Sequence, residues 1–214
     1  MSTLASSLSD PRPSVRLRAV MASGTTPDPG DLDVLLQQCA VEPDLQVREM
    51  LTWALVRLPA ELVVPRLLGE LDRPEAQARS QALHTLSKIG DASVYPEVAD
   101  RLGDVDAGVV RTAWRASVRL VPDTERPNLA RRLGRDLGQG DQDARLALSR
   151  ALVALGEDVI EPVLAAAERR NGTEVRDHVA DVRRLLRDPD AAADLALARA
   201  RREVALGRTK RASG

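Results

Sequence analysis

Side chains able to carry out chemistry by themselves are scarce in this sequence. His84 and His178 are the two histidines, Cys39 is the single cysteine and Tyr95 the single tyrosine. A nucleophile needs a base beside it, and a metal centre needs several ligands at matched spacing. Neither histidine is followed by glutamate, since the pairs are His84-Thr85 and His178-Val179, and no phosphate loop, nucleophile elbow or His-Glu-x-x-His is present. We therefore expect a chain that is not an enzyme, with no catalytic residue, no metal and no cofactor. Cys39 reads as a small apolar helix residue, and a lone cysteine suits a reducing compartment.

Arginine, by contrast, is abundant: of 31 basic residues only Lys88 and Lys210 are lysines. Together with the absence of Phe and the scarcity of Ile and Asn, this is the signature of a GC-rich bacterial genome. Apolar residues make up 43% and charged residues 29%, and the net charge of −1 is too small for a general polyanion binder. The start, MSTLASSLSDPRP, has neither the basic nor the apolar stretch of a signal peptide, and no apolar run is long enough to span a bilayer. These features predict a cytoplasmic protein with no membrane association.

The arginines are spaced. A small aliphatic residue followed by arginine recurs at Arg16, Arg48, Arg79, Arg111, Arg145 and Arg176, at intervals of 32, 31, 32, 34 and 31. Three residues after each come Ala19, Leu51, Ala82, Trp114, Leu148 and Val179, and six after come Ala22, Ala54, Thr85, Ser117, Ala151 and Val182. An apolar stripe at −1, +3, +6, +7 and +10 has the helix period. A second amphipathic segment precedes each, with Leu36, Leu67, Leu133 and Leu164 all 12 residues before the arginine. In the fourth copy Val98 and Leu102 fit one residue early, which predicts a turn longer by one there. Acidic residues in Asp72-Arg-Pro-Glu, Gly103-Asp-Val-Asp and Gly138-Gln-Gly-Asp are placed to cap the second helices, and Pro65, Pro96, Pro127 and Pro162 to fall early in the first ones.

This pattern resembles the HEAT-repeat family over about residues 9–188, and residues 64–91 carry it best, from Val64-Pro-Arg-Leu-Leu through Arg79 to Gly90-Asp91. The resemblance implies an all-α fold: a right-handed α-solenoid (α-α superhelix) of about six helical hairpins. The repeats would cover about 1–26, 27–60, 61–91, 92–123, 124–157 and 158–188, followed at 189–214 by a C-terminal helix and basic tail. It also implies that the repeat arginines are structural and pair with aspartates in a ladder. Asp10 and Arg16 have the family's separation, whereas the acid shifts in Asp44 to Arg48 and Asp72 to Arg79. The first repeat is short, and the sixth puts Arg183 where an aliphatic residue stood before.

Second helices of this family line the concave side, so the face opposite the apolar stripe is the expected partner surface. Positions +1, +5 and +8 place there Glu49, Trp53 and Val56, then Ser80, His84 and Ser87, then Thr112, Ala116 and Arg119, then Leu146, Arg150 and Val153. Trp53 is the residue type that anchors interfaces, and Arg115, Arg119 and Arg150 could meet an acidic segment. Trp114 falls on the buried stripe. The expected function is a non-catalytic scaffold or adaptor for a protein or peptide. The alternative is nucleic-acid binding, as in the HEAT-like alkylpurine DNA glycosylases, through these arginines and the basic tail. Those enzymes use a basic face with aromatics, which this chain lacks. The related deoxyhypusine hydroxylases need His-Glu pairs, and no motif selects the bilin lyases that share the repeat.

Overall fold

The computed structural model describes residues 3–169 and 172–188. Among them every regular element is helical, and they divide at Pro122–Asp123 into two compact units. The expected C-terminal helix and basic tail lie outside the described residues.

The first unit contains four hairpins: α1 (Thr3–Leu8) with α2 (Pro13–Thr25), α3 (Leu32–Val41) with α4 (Leu45–Val56), α5 (Ala60–Glu70) with α6 (Ala76–Ile89), and α7 (Tyr95–Asp100) with α8 (Ala107–Leu120). Second helices stack in sequence, α2 on α4, α4 on α6 and α6 on α8. The stripe that the periodicity marks is what they bury: Val47, Leu51, Ala54 and Leu55 in α4, Ala78, Ala82 and Leu86 in α6. Each fully buried aliphatic side chain contributes about 1.5–3 kcal/mol, so these short helices are held by stacking rather than by their own propensity. In the second unit α9 (Arg126–Leu133) and α10 (Gln142–Leu155) precede α11 (Glu157–Glu168) and α12 (Thr173–Arg187), with α9 on α11 and α10 on α12.

Each second helix starts alike. The amides of Arg16, Arg48, Arg79, Arg145 and Arg176 bond to the carbonyls of Arg12, Asp44, Glu75, Asp141 and Gly172, and in α8 the equivalent bond runs from Val110 to Asp106. Arg111 therefore stands one residue past the repeat position, and Val110 occupies it. The longer turn expected in the fourth copy vanishes with this shift, because Val98 lies 12 residues before Val110 as the leucines do before their arginines. Extra residues lie between α8 and α9 instead: Asp106 to Leu133 spans 27 positions, against 23 from Asp44 to Leu67. The run Val109-Val110-Arg111 satisfies either register, and the arginine drew the count one residue late. Thr112 and Ala116, expected on the open face, are consequently buried.

Caps and prolines also differ in part. Asp106 and Asp141 accept first-turn amides as expected, and so does Asp44, but Glu75 at the start of α6 caps nothing and pairs with Arg73, while Asp72 bonds to Arg101 at 2.7 Å. Pro96 and Pro127 open their helices, whereas Pro65 and Pro162 lie inside α5 and α11. Both are exposed, so the lost backbone bond falls on a solvent-facing side.

Candidate functional site

The repeat arginines key one turn to the next. Arg16 donates from Nη1 to the carbonyls of Asp10 (2.9 Å) and Pro11 (3.0 Å), and from Nε and Nη2 to the Glu42 carboxylate at 2.8 and 2.6 Å. Arg79 repeats this with the carbonyls of Arg73 and Pro74 and the Asp104 carboxylate, both of its carboxylate bonds being 2.8 Å. Arg48 reaches the carbonyls of Glu42 and Pro43, and Arg145 those of Gly138 and Gly140. The acids paired with Arg16 and Arg79 thus come from the following repeat. Asp10, which has the family's separation from Arg16, gives its carboxylate to Arg12 instead. Glu42 is wholly buried: burial alone would raise its pKa, but bonds from Arg16, the Asp44 amide and Gln38 hold it below the ordinary carboxylate value. Asp104 is held low by Arg79. Arg111 and Arg176 lie nearer the surface.

His178 carries a connection that no spacing rule reveals. It is fully buried, its Nδ1 accepts the Gly138 amide at 3.0 Å, and its Nε2 therefore bears the proton and donates to the Arg145 carbonyl at 2.9 Å. Arg183, in the expected aliphatic position of the sixth repeat, bonds to Glu161 at 2.6 Å and to Glu168. Cys39 is buried, and burial pushes its thiol pKa up to about 12, so it is no nucleophile.

The open face of the second helices acquires order once α8 is in register. Nine residues after the residue preceding each helix come Met21, Trp53, His84 and Arg115; thirteen after come Thr25, Arg57, Lys88 and Arg119. Met21 is 46% exposed and Trp53 39%. One side of the indole is seated on Gly24 of α2, where a Cβ would stand 2.2 Å from the ring, and the Arg57 guanidinium lies 5.7 Å from its centroid. Trp53 is thus both packed and open. Val56, one turn on, and Glu49, one turn back, are exposed.

His84 is half-buried, with Nε2 3.5 Å from a Glu49 carboxylate oxygen but without hydrogen-bond geometry. Burial lowers its pKa, Lys88 and Arg115 lower it further, and Glu49 opposes them in part. Beside it lies a pocket of about 310 Å³ between α6 and α8, lined by His84, Ser87 and Lys88 on one side and Thr112, Arg115 and Arg119 on the other, with Ala116 at its floor. Arg115 donates to the Thr112 hydroxyl at 3.3 Å; among the described residues no carboxylate pairs with Lys88, Arg115 or Arg119. Arg150 occupies the row of Trp53 but belongs to the second unit and is exposed there. Among the described residues no group of three or more His, Cys, Asp or Glu is placed to hold a metal, and no helix is long and apolar enough to cross a membrane.

Stacked helical hairpins whose arginines clamp their own turns and reach an acid of the next hairpin define a helical-repeat protein. Residues 33–119 match the family model of HEAT repeats. No curated protein matches the chain. Among solved structures it is similar to an engineered protein, at 16% identity over 88% of this chain and 96% of that one with a TM-score of 0.47. It is also similar to the complex of CpcE and CpcF of phycocyanin lyase from Nostoc sp. PCC7120, at 17% identity over 88% and 77% with a TM-score of 0.48.

Proposed function

We propose that this chain is a non-catalytic interaction scaffold that binds a partner protein or peptide through the open faces of its second helices, with Glu49, Trp53, Val56, His84, Arg115 and Arg119 as contacts and Arg150 as a separate contact in the second unit. The observation that carries the reading is Trp53. A large indole left open on a helix face, with Met21 exposed in the same row of the preceding repeat, has the character of an interface anchor. Arg16, Arg48, Arg79, Arg145 and His178 are already engaged in holding turns, which supports giving them no part in the partner site.

The test is capture by the full chain. Trp53→Ala is expected to weaken retention of its partner by about tenfold or more, the usual consequence of truncating an aromatic anchor, with an unchanged far-UV circular dichroism spectrum. Undiminished capture removes Trp53 from the site. Nucleic-acid binding is the second reading, favoured by the unneutralised cations near His84, and it requires affinity that falls steeply with salt.

A further inference from the structure

The pocket between α6 and α8 differs from the rest of the open face. Lys88 and His84 are one turn apart on α6, Arg115 and Arg119 one turn apart on α8, and the two pairs face each other across about 310 Å³. Such i,i+4 pairs on neighbouring helices put four nitrogen-bearing side chains around one small volume. Cations brought this close repel one another unless a counter-charge fills the space. Elsewhere in the unit Arg16 and Arg79 receive theirs from Glu42 and Asp104; here, among the described residues, the one carboxylate paired to a pocket side chain is Glu49, and it stands against His84.

We infer that this pocket is a dianion site that takes a phosphate group carried by an extended peptide partner, with Lys88, Arg115 and Arg119 as its ligands. This rests on the scaffold reading above and names the chemistry of its partner. Charge fixes the class. With His84 neutral at pH 7, three cations less Glu49 leave a local excess of two, which a phosphate dianion cancels and a single carboxylate does not. Guanidinium groups match phosphate oxygens in pairs, whereas Ser87 and Thr112, whose hydroxyls donate to the carbonyls of His84 and Gly108, only line the wall.

A peptide fits better than a nucleic acid because the cations are local: the first unit as a whole has 13 basic against 16 acidic residues, which repels a polyanion. The row Met21, Trp53, His84, Arg115 runs from apolar to cationic. Helices stacked about 8–10 Å apart place the pocket roughly four extended residues from Trp53, so the partner carries an apolar side chain about four residues from its phosphorylated one.

The test is calorimetric titration of the full chain at constant ionic strength with sulfate, inorganic phosphate, a phosphoserine peptide bearing leucine four residues away, the same peptide with glutamate for phosphoserine, and a single-stranded oligonucleotide. One-to-one binding of sulfate and phosphate is expected, with the phosphopeptide about tenfold or more tighter than either phosphate or the glutamate peptide. Arg115→Gln and Arg119→Gln should each weaken it by about tenfold, while Arg18→Gln on α2 leaves it unchanged. Absence of saturable anion binding, or an equal loss in Arg18→Gln, overturns the site; Trp53-dependent capture surviving that result would leave the scaffold reading standing. An oligonucleotide tighter than the phosphopeptide overturns the peptide assignment in favour of nucleic acid.

Discussion

Glu42 shows what a single residue contributes. With no exposed surface it accepts from Arg16, from Gln38 at 2.7 Å and from the Asp44 amide at 2.9 Å, while its own carbonyl takes Arg48 and Gln77. Removing one member of a buried pair leaves the other uncompensated, so Glu42→Ala should cost about 3–5 kcal/mol by urea denaturation. The sign with pH follows from its depressed pKa. Its contribution is fully present above the unfolded-state value of 4.5 and is lost as pH falls through the lower folded-state value. Urea midpoints of the wild type should therefore drop more steeply below that pH than those of Glu42→Gln, whose neutral amide does not titrate; parallel profiles would contradict the assignment. None of this was legible in the residue string, where Glu42 has no marked spacing to Arg16 and Asp10 has the expected one.

Helices and their turns obey simpler rules, and most of them could be read in advance. The apolar stripe repeats because α4, α6 and α10 bury the same side, whereas Ala22 of α2 is exposed, and Asp44, Asp106 and Asp141 cap because a short acid before a helix finds free amides. The register of α8 departs from the arginine spacing because valine stands where arginine does elsewhere, and a pattern built on arginine does not mark its absence. That one-residue shift decides the candidate site, since it moves Arg115 into the row of Trp53 and His84. His178 was equally hidden: besides the Ser149 hydroxyl, its partners include a backbone amide 40 residues away and a carbonyl 33 residues away, and backbone groups leave no trace in side-chain periodicity. Gly138 is needed at that junction. Its φ is +84°, its amide serves His178, its carbonyl serves Arg145, and a Cβ would stand 3.0 Å from the Val175 nitrogen. Gly138→Ala should lower stability by more than the roughly 1–2 kcal/mol of left-handed strain alone, measurable as a reduced melting temperature; an unchanged one would mean the turn relaxes freely.

For the whole molecule, each unit has a core of its own, and both tryptophans lie in the first. Tryptophan emission therefore reports on one unit and far-UV circular dichroism on both. Leu148→Ala, at a buried site of α10, should cost about 2–5 kcal/mol and lower the dichroism midpoint in urea, with the emission midpoint displaced less. Equal displacement would show that the chain unfolds as one cooperative body. At this scale the helical-repeat class was legible from the arginine spacing, but the division at Pro122 was not, because the four added residues after α8 were absorbed into a miscounted interval.

The grip of Arg16, Arg48 and Arg79 on pairs of turn carbonyls has a further consequence. A carbonyl oxygen is offered by all twenty amino acids, so the anchor points persist whether the turn reads Asp10-Pro11, Glu42-Pro43 or Arg73-Pro74. Mutational drift in those loops, Glu42 excepted because its carboxylate links the first hairpin to the second, can recolour the protein's exterior while each second helix stays clamped to its own turn.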